Sequence, residues 1–126
     1  MSIMDSAVAF FEACETGKGW EVCSAYCAPD ARFSAQAHAL DGVETVEAYT
    51  NWMRDFMVSV PDGTYEVIGF GEDKSRSVAL VYAIFSGTLP ASDNSPARPI
   101  KADYVYSLSF ENGKIVRMVK IWNDSF

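Results

Sequence analysis

The chain has 126 residues, a net charge of −7, an apolar fraction of 49% and an aromatic fraction of 13%. That length fits one domain around one core, and the apolar content excludes a disordered chain. The acidic balance argues against a nucleic-acid partner, which needs a basic stripe, and against anionic membranes.

No apolar run nears the roughly 20 residues of a membrane-spanning helix. Asp5 and Glu12 precede the first lysine, Lys18, the reverse of the basic start of a secretory leader. Both features predict a cytoplasmic protein. Cys14, Cys23 and Cys27 are odd in number and fall on predicted helices, so reduced core thiols are expected. Cys23-x3-Cys27 with a single histidine in the chain makes a poor zinc site, and no metal or other cofactor is expected.

Ser2-Ile-Met-Asp5 has the spacing of a capping box. Behind it, Met4, Val8, Phe11 and Cys14, with Ala7 and Phe10, keep a helical period that Gly17 and Gly19 end. Trp20, Cys23, Tyr26 and Cys27 predict a second short helix closed by Pro29. Residues 31–37 read as a short strand. Asp41-Gly-Val-Glu44 reads as the start of a third helix. Val46, Tyr49, Met53, Phe56 and Met57 continue it, and Trp52 broadens the stripe.

After Pro61 the apolar period changes from helical to alternating. Strands are predicted at 64–70, 78–88, 100–110 and 114–122. Glu111-Asn-Gly113 between the last two is a hairpin signal. The eleven residues at 89–99 carry three prolines and predict a mobile loop. No repeat or boundary appears, so residues 1–126 form one domain. Helices segregated from an antiparallel sheet define an α+β fold. The strand at 78–88 is apolar on both faces, with Val78, Leu80, Tyr82 and Ile84 on one and Val81 and Phe85 on the other. The second face of the sheet is therefore expected to meet another copy of the chain in a homodimer.

Three stretches, FFEACETGKGW, YCAPDARF and ENGKIVRMVKIW, carry a resemblance to the nuclear transport factor two-like superfamily. That superfamily includes ketosteroid isomerase, scytalone dehydratase and the SnoaL-like polyketide cyclases. The pattern spans nearly the whole chain. It is specific for the fold and says little about the reaction, because this fold hosts enzymes and non-enzymes alike. The resemblance implies a cone: three helices from the N-terminal half over the concave face of a bent sheet, with a deep hydrophobic pocket between. Ketosteroid isomerases use a tyrosine on the first helix, an aspartate base on the first strand and a protonated aspartate on a late strand. Those positions fall on Phe11, Ala35 and Tyr106, none preserved in kind, so the resemblance does not carry that mechanism over.

The same mapping turns Met118, Lys120 and Trp122 inward on the last strand, and Arg117, Val119 and Ile121 outward. On strand 100–110 it turns Ala102, Tyr104, Tyr106, Leu108 and Phe110 inward and Asp103 outward. Lys120 then faces the interior beside Tyr106. An inward lysine can bind an anionic or carbonyl group, or act as a base or Schiff-base nucleophile. The competing reading is a stem laid along Trp122 with the ammonium at the rim. His38, the sole histidine, is a candidate proton carrier at the pocket mouth, against a plain exposed loop histidine. Asp103 is a second candidate, because SnoaL-like cyclases use an acidic pocket residue and one bulge would turn it inward.

Tyr82, Tyr104, Tyr106, Trp52 and Trp122 read first as core aromatics. Trp52, Tyr104, Met118, Trp122, Phe11, Ala35 and Gln36 are the residues expected to line a ligand. The leading functional expectation is a cofactor-free lyase, cyclase or isomerase acting on a hydrophobic carbonyl compound. Tyr106 and Lys120 would polarise an oxygen, and His38 or Asp103 would carry the proton. The alternatives are a non-catalytic binder of an apolar or anionic small ligand, and a dimerisation scaffold whose cone is merely filled.

Overall fold

The computed structural model describes residues 2–124. Helix α1 spans Ile3–Glu15, and the Ser2 hydroxyl accepts the Asp5 N–H at 3.1 Å, as the capping box predicts. Helix α2 is one turn, Trp20–Cys23, followed by a 3-10 turn at Ser24–Tyr26. Helix α3, Val46–Ser59, is capped by the Thr45 hydroxyl rather than started at Asp41. Strands β1 to β5 are Cys27–Ala35, Thr64–Asp73, Val78–Leu89, Arg98–Glu111 and Lys114–Trp122. None of the described helices is long and apolar enough to cross a membrane.

The strands form one sheet in the order β1-β5-β4-β3-β2. All neighbours are antiparallel except β1 and β5, which are parallel. The α1 and α3 aromatics cover one face, and the core lies between: Phe10 and Phe11 from α1, Tyr49 and Met53 from α3, and Tyr104, Tyr106, Leu108 and Met118 from the sheet are all buried. Irregular register between Val67 and Gly69, and between Ser109 and Phe110 opposite β5, bends the sheet around this core. The architecture is the α+β curved-sheet cone expected.

The hairpin at Glu111-Asn-Gly113 forms as predicted. Asn112 and Gly113 have φ of 52° and 79°, the left-handed pair of a type I′ turn. Gly87 has a different reason: a Cβ there would come within 2.6 Å of Val60, so only glycine lets β3 pass the end of α3.

Two local expectations are corrected. Pro29 does not end a helix. It lies inside β1, and Cys27 is a strand residue. β1 is an edge strand, and its pairing with β5 is irregular between Cys27 and Arg32, so a residue lacking an N–H is tolerated there. The irregular loop is also shorter than expected. β3 and β4 continue to Leu89 and Arg98, and a bridge between Ser92 and Ser95 organises the tip.

Candidate functional site

Strand parity places the interior residues. On β4 every second residue from Ala102 to Phe110 is buried, and Asp103 is exposed on the opposite face. On β5, Met118, Lys120 and Trp122 are buried and Ile121 is exposed. Lys120 lies between Ala35 on β1 and Tyr106 on β4. It is only 4% exposed, so it does not reach the rim.

The Lys120 ammonium ends in an aromatic box. It lies 4.6 Å from the centre of the Trp122 ring, 5.1 Å from Tyr49 and from Tyr104, 5.8 Å from Tyr106 and 6.0 Å from Trp52. Ring faces attract a cation, which partly replaces the lost water. Its Nζ donates to the Tyr49 hydroxyl at 3.0 Å. The Tyr49 and Tyr106 hydroxyls are 2.7 Å apart, and Tyr106 donates to Glu15 Oε1 at 3.2 Å. Each tyrosine has one proton to give. Tyr106 spends its proton on Glu15, so Tyr49 donates to Tyr106. The result is a one-way chain, Lys120 to Tyr49 to Tyr106 to Glu15. No direct ion pair joins Lys120 and Glu15 among the described residues.

Glu15 was not foreseen as a site residue. It is 1% exposed, at the last position of α1, where the helix dipole disfavours a negative charge. Its Oε2 and the hydroxyl of Tyr104 are buried close enough to interact with each other, but neither makes an aligned hydrogen bond. Burial raises the Glu15 carboxyl above the usual range, against the lowering pull of Lys120. Burial likewise pushes Lys120 down to about 8, although the charge of Glu15 acts the other way. Burial, then Glu15, raises the phenols of Tyr104 and Tyr106, and burial leads the same rise at Tyr49. The tyrosines therefore stay neutral and pass hydrogen bonds rather than hold charge.

The signal for Glu15 was in the sequence. Ile3, Ala7, Phe11 and Glu15 are four apart, so the glutamate continues the apolar stripe of α1. Tyr49 was read as part of the α3 stripe and its hydroxyl was overlooked.

Glu15, Tyr104, Lys120, Trp52, Met53, Phe56, Phe85 and Trp122 surround an interior void of about 10 Å³. That is room for one water at most. The deep pocket expected from the resemblance is closed here, because aromatic rings fill it. Trp52 stacks on Tyr49 and on Phe56, and both Trp52 and Phe56 meet Trp122.

The remaining candidates lie elsewhere. Phe11 is buried against Tyr65, Phe70, Tyr104 and Tyr106. Met118 is buried opposite Phe33 and Leu108. Tyr82 is exposed on the outer face rather than in the core. His38 and Gln36 are exposed and line, with Ala35 and Asp124, an open cleft of about 550 Å³ where β1 and β5 end. There Asp124 accepts the Ala39 N–H at 2.7 Å. The interior chain thus brings together Tyr106 and Lys120, and leaves His38 and Asp103 outside it.

The curved-sheet α+β cone defines a known class of small domain, and the comparisons place the chain in it. The sequence profile of the SnoaL-like domain matches residues 7–118, and the chain belongs to that family. IdmH from Streptomyces antibioticus, provisionally assigned as a polyketide cyclase, superposes with a TM-score of 0.80 at 19% identity, covering 98% of this chain and 94% of its own. A protein from Jannaschia sp. CCS1, provisionally assigned as a SnoaL-like polyketide cyclase, gives 0.74 at 16% identity, with 96% and 85% covered. A cystatin-fold protein from Novosphingobium aromaticivorans gives 0.68 at 25% identity, with 96% and 98% covered. No protein of curated function matches the chain.

Proposed function

We propose that the chain is a cofactor-free enzyme of the cyclase or isomerase kind, acting on a hydrophobic carbonyl compound by general acid–base chemistry. One observation carries this: a lysine and a glutamate buried in one aromatic interior and joined by a hydrogen-bond chain through two tyrosines, with no direct ion pair among the described residues. For stability such a pair is a poor choice, because each ion loses its water and hydrophobic replacement is often neutral or better. Displaced pKa values around one enclosed spot favour chemistry instead. The family and the assignments carried by IdmH and the Jannaschia protein point to the same class.

In this reading Glu15 Oε2 and the Tyr104 hydroxyl face the reacting carbon. Glu15 takes or returns a proton. Tyr104, with a hydrogen to give, stabilises the developing oxyanion. That role passes to Tyr104 from Tyr106, whose hydroxyl is already engaged on both sides. Trp52, Phe56 and Trp122 must turn aside to admit a substrate. The outer sheet face, with Leu80, Tyr82 and Ile121 exposed, carries a homodimer contact.

A second reading is favoured by the small void: a filled scaffold that neither binds nor converts a ligand. Tryptophan fluorescence separates the two, since Trp52 and Trp122 line the void. A panel of apolar mono- and dicarbonyl compounds should include members that shift the emission and are converted, with conversion lost in Lys120→Met. A flat emission across the panel and no conversion would favour the scaffold.

A further inference from the structure

We propose that Lys120 forms a covalent iminium with the carbonyl carbon of a 1,3-dicarbonyl substrate, with Glu15 as the proton acceptor and donor of that step. This rests on reading the interior as a catalytic site. Three features carry it. The amine sits in an apolar aromatic box. Its hydrogen-bond chain ends on a carboxylate. A second carboxylate oxygen and a phenol, near each other but without an aligned hydrogen bond, border the same void.

The protons balance along the chain. Nζ gives a proton to the Tyr49 oxygen, Tyr49 gives its own to Tyr106, and Tyr106 gives its own to Glu15 Oε1. Both tyrosines end unchanged. The lysine is then a free amine and the glutamate a carboxylic acid. The Nζ lone pair attacks the carbonyl carbon, and the C=O pair moves to oxygen. A nitrogen proton passes to that oxygen, giving the carbinolamine. The Glu15 acid protonates the hydroxyl, water leaves, and the nitrogen pair closes the C=N bond. In sum, ammonium and carbonyl become iminium and water, with no oxidant or reductant. Glu15 is again a carboxylate and can remove the acidic hydrogen between the two carbonyls. The resulting enamine is the carbon nucleophile that a ring closure on a further carbonyl requires.

The interior favours this chemistry over a surface lysine. With Lys120 at about 8 rather than 10.5, roughly 300-fold more of it is free amine at pH 7. Lys18, Lys74, Lys101 and Lys114 are all exposed to solvent. The groups facing Nζ are Glu15 from α1, Tyr49 and Trp52 from α3, Tyr104 and Tyr106 from β4 and Trp122 from β5, with the Cys14 thiol further off.

Pentane-2,4-dione is the probe, because a lysine iminium of a 1,3-diketone settles to a conjugated enaminone that absorbs in the near ultraviolet. Wild-type protein at pH 7 should gain the mass of the diketone less one water, mapped to Lys120. Lys120→Met should lose the label. Phe56→Ala, which opens the aromatic wall, should label at least about tenfold faster if ring motion limits access. The active form holds one proton between Lys120 and Glu15, so wild-type labelling should fall above about pH 8. In Glu15→Gln, with no acid to lose, it should rise with pH instead. No Lys120 adduct in either wild type or Phe56→Ala overturns the covalent step. A wild-type profile that rises like a plain amine removes Glu15 from it. If the diketone shifts tryptophan emission without an adduct, the interior site stands and the iminium fails. If it does neither, even in Phe56→Ala, both fail.

Discussion

The concave face of the sheet buries a lysine and, against it, a glutamate, whereas the convex face leaves Leu80, Tyr82 and Ile121 39–53% exposed. The inside is too polar for a plain core, and the outside is too apolar for a plain surface. Tyr82, Val105 and Ile121 are register partners, so the outer apolar residues form a row across β3, β4 and β5. Both faces depart from what stability alone selects, and in opposite directions. The inner departure fits chemistry and the outer one fits a partner.

The largest effect that would break this comparison is on the inside. Lys120→Met should cut turnover of any substrate found by about 10²–10⁴, the usual worth of a positioned acid–base group, with circular dichroism unchanged. Equal turnover in the variant would return Lys120 to the role of core filler. On the outside, Ile121→Glu should weaken self-association by at least about 30-fold, as the loss of a central anchor does. Sedimentation would read this as a shift from dimer to monomer. A wild type that sediments as a monomer removes the reason for the exposed row.

A smaller effect follows from the pH dependence of stability. The folded pKa of Lys120 lies below its unfolded value, so between about pH 8 and 10.5 the unfolded chain holds more protons. The lysine's own contribution to stability should rise across that window, by up to roughly 3 kcal/mol for a shift of this size. Cys14, Cys27 and the buried tyrosines, whose raised pKa values make the folded chain hold more protons there, pull the other way. Glu15 acts in the other direction: its raised pKa makes the folded chain hold more protons just above the ordinary carboxylate range, so its contribution declines as pH rises there. Between pH 8 and pH 10, denaturant titrations should show a more favourable change in stability in wild type than in Lys120→Met, where only the opposing groups remain. The smallest effects belong to residues outside the interior chain. His38→Gln and Asp103→Asn, both at exposed positions, should leave stability within about 0.5 kcal/mol. A collapse of turnover in His38→Gln would instead move the site to the open cleft.

Much of the fold was legible because alternation and turn chemistry are local. β5 begins and ends where its pattern predicts, and Asn112-Gly113 carries its turn type in its residues. The inward set of β4 followed from parity alone, which also turned Asp103 outward. Pro29 misled because a proline ends a helix and is equally tolerated on an edge strand, and only the sheet order distinguishes the two. The site was half legible. Lys120 stood out as a charge on an apolar face. Glu15 shares a site with Lys120 only through packing of α1 against the sheet, a contact between residues 105 positions apart that no local pattern encodes. The closed void was not legible at all, since ring packing of Trp52, Phe56 and Trp122 depends on three-dimensional placement.

The most direct test of the claim that the interior charges serve chemistry rather than the fold is the unfolding free energy of the double variant Glu15→Gln, Lys120→Met at pH 7. The account predicts a protein without activity that is as stable as wild type or more so, by up to about 4 kcal/mol, as when buried ions give way to neutral groups of similar size. A double variant clearly less stable than wild type would mean that the lysine, the glutamate and the two tyrosines between them hold the cone together, and would contradict it.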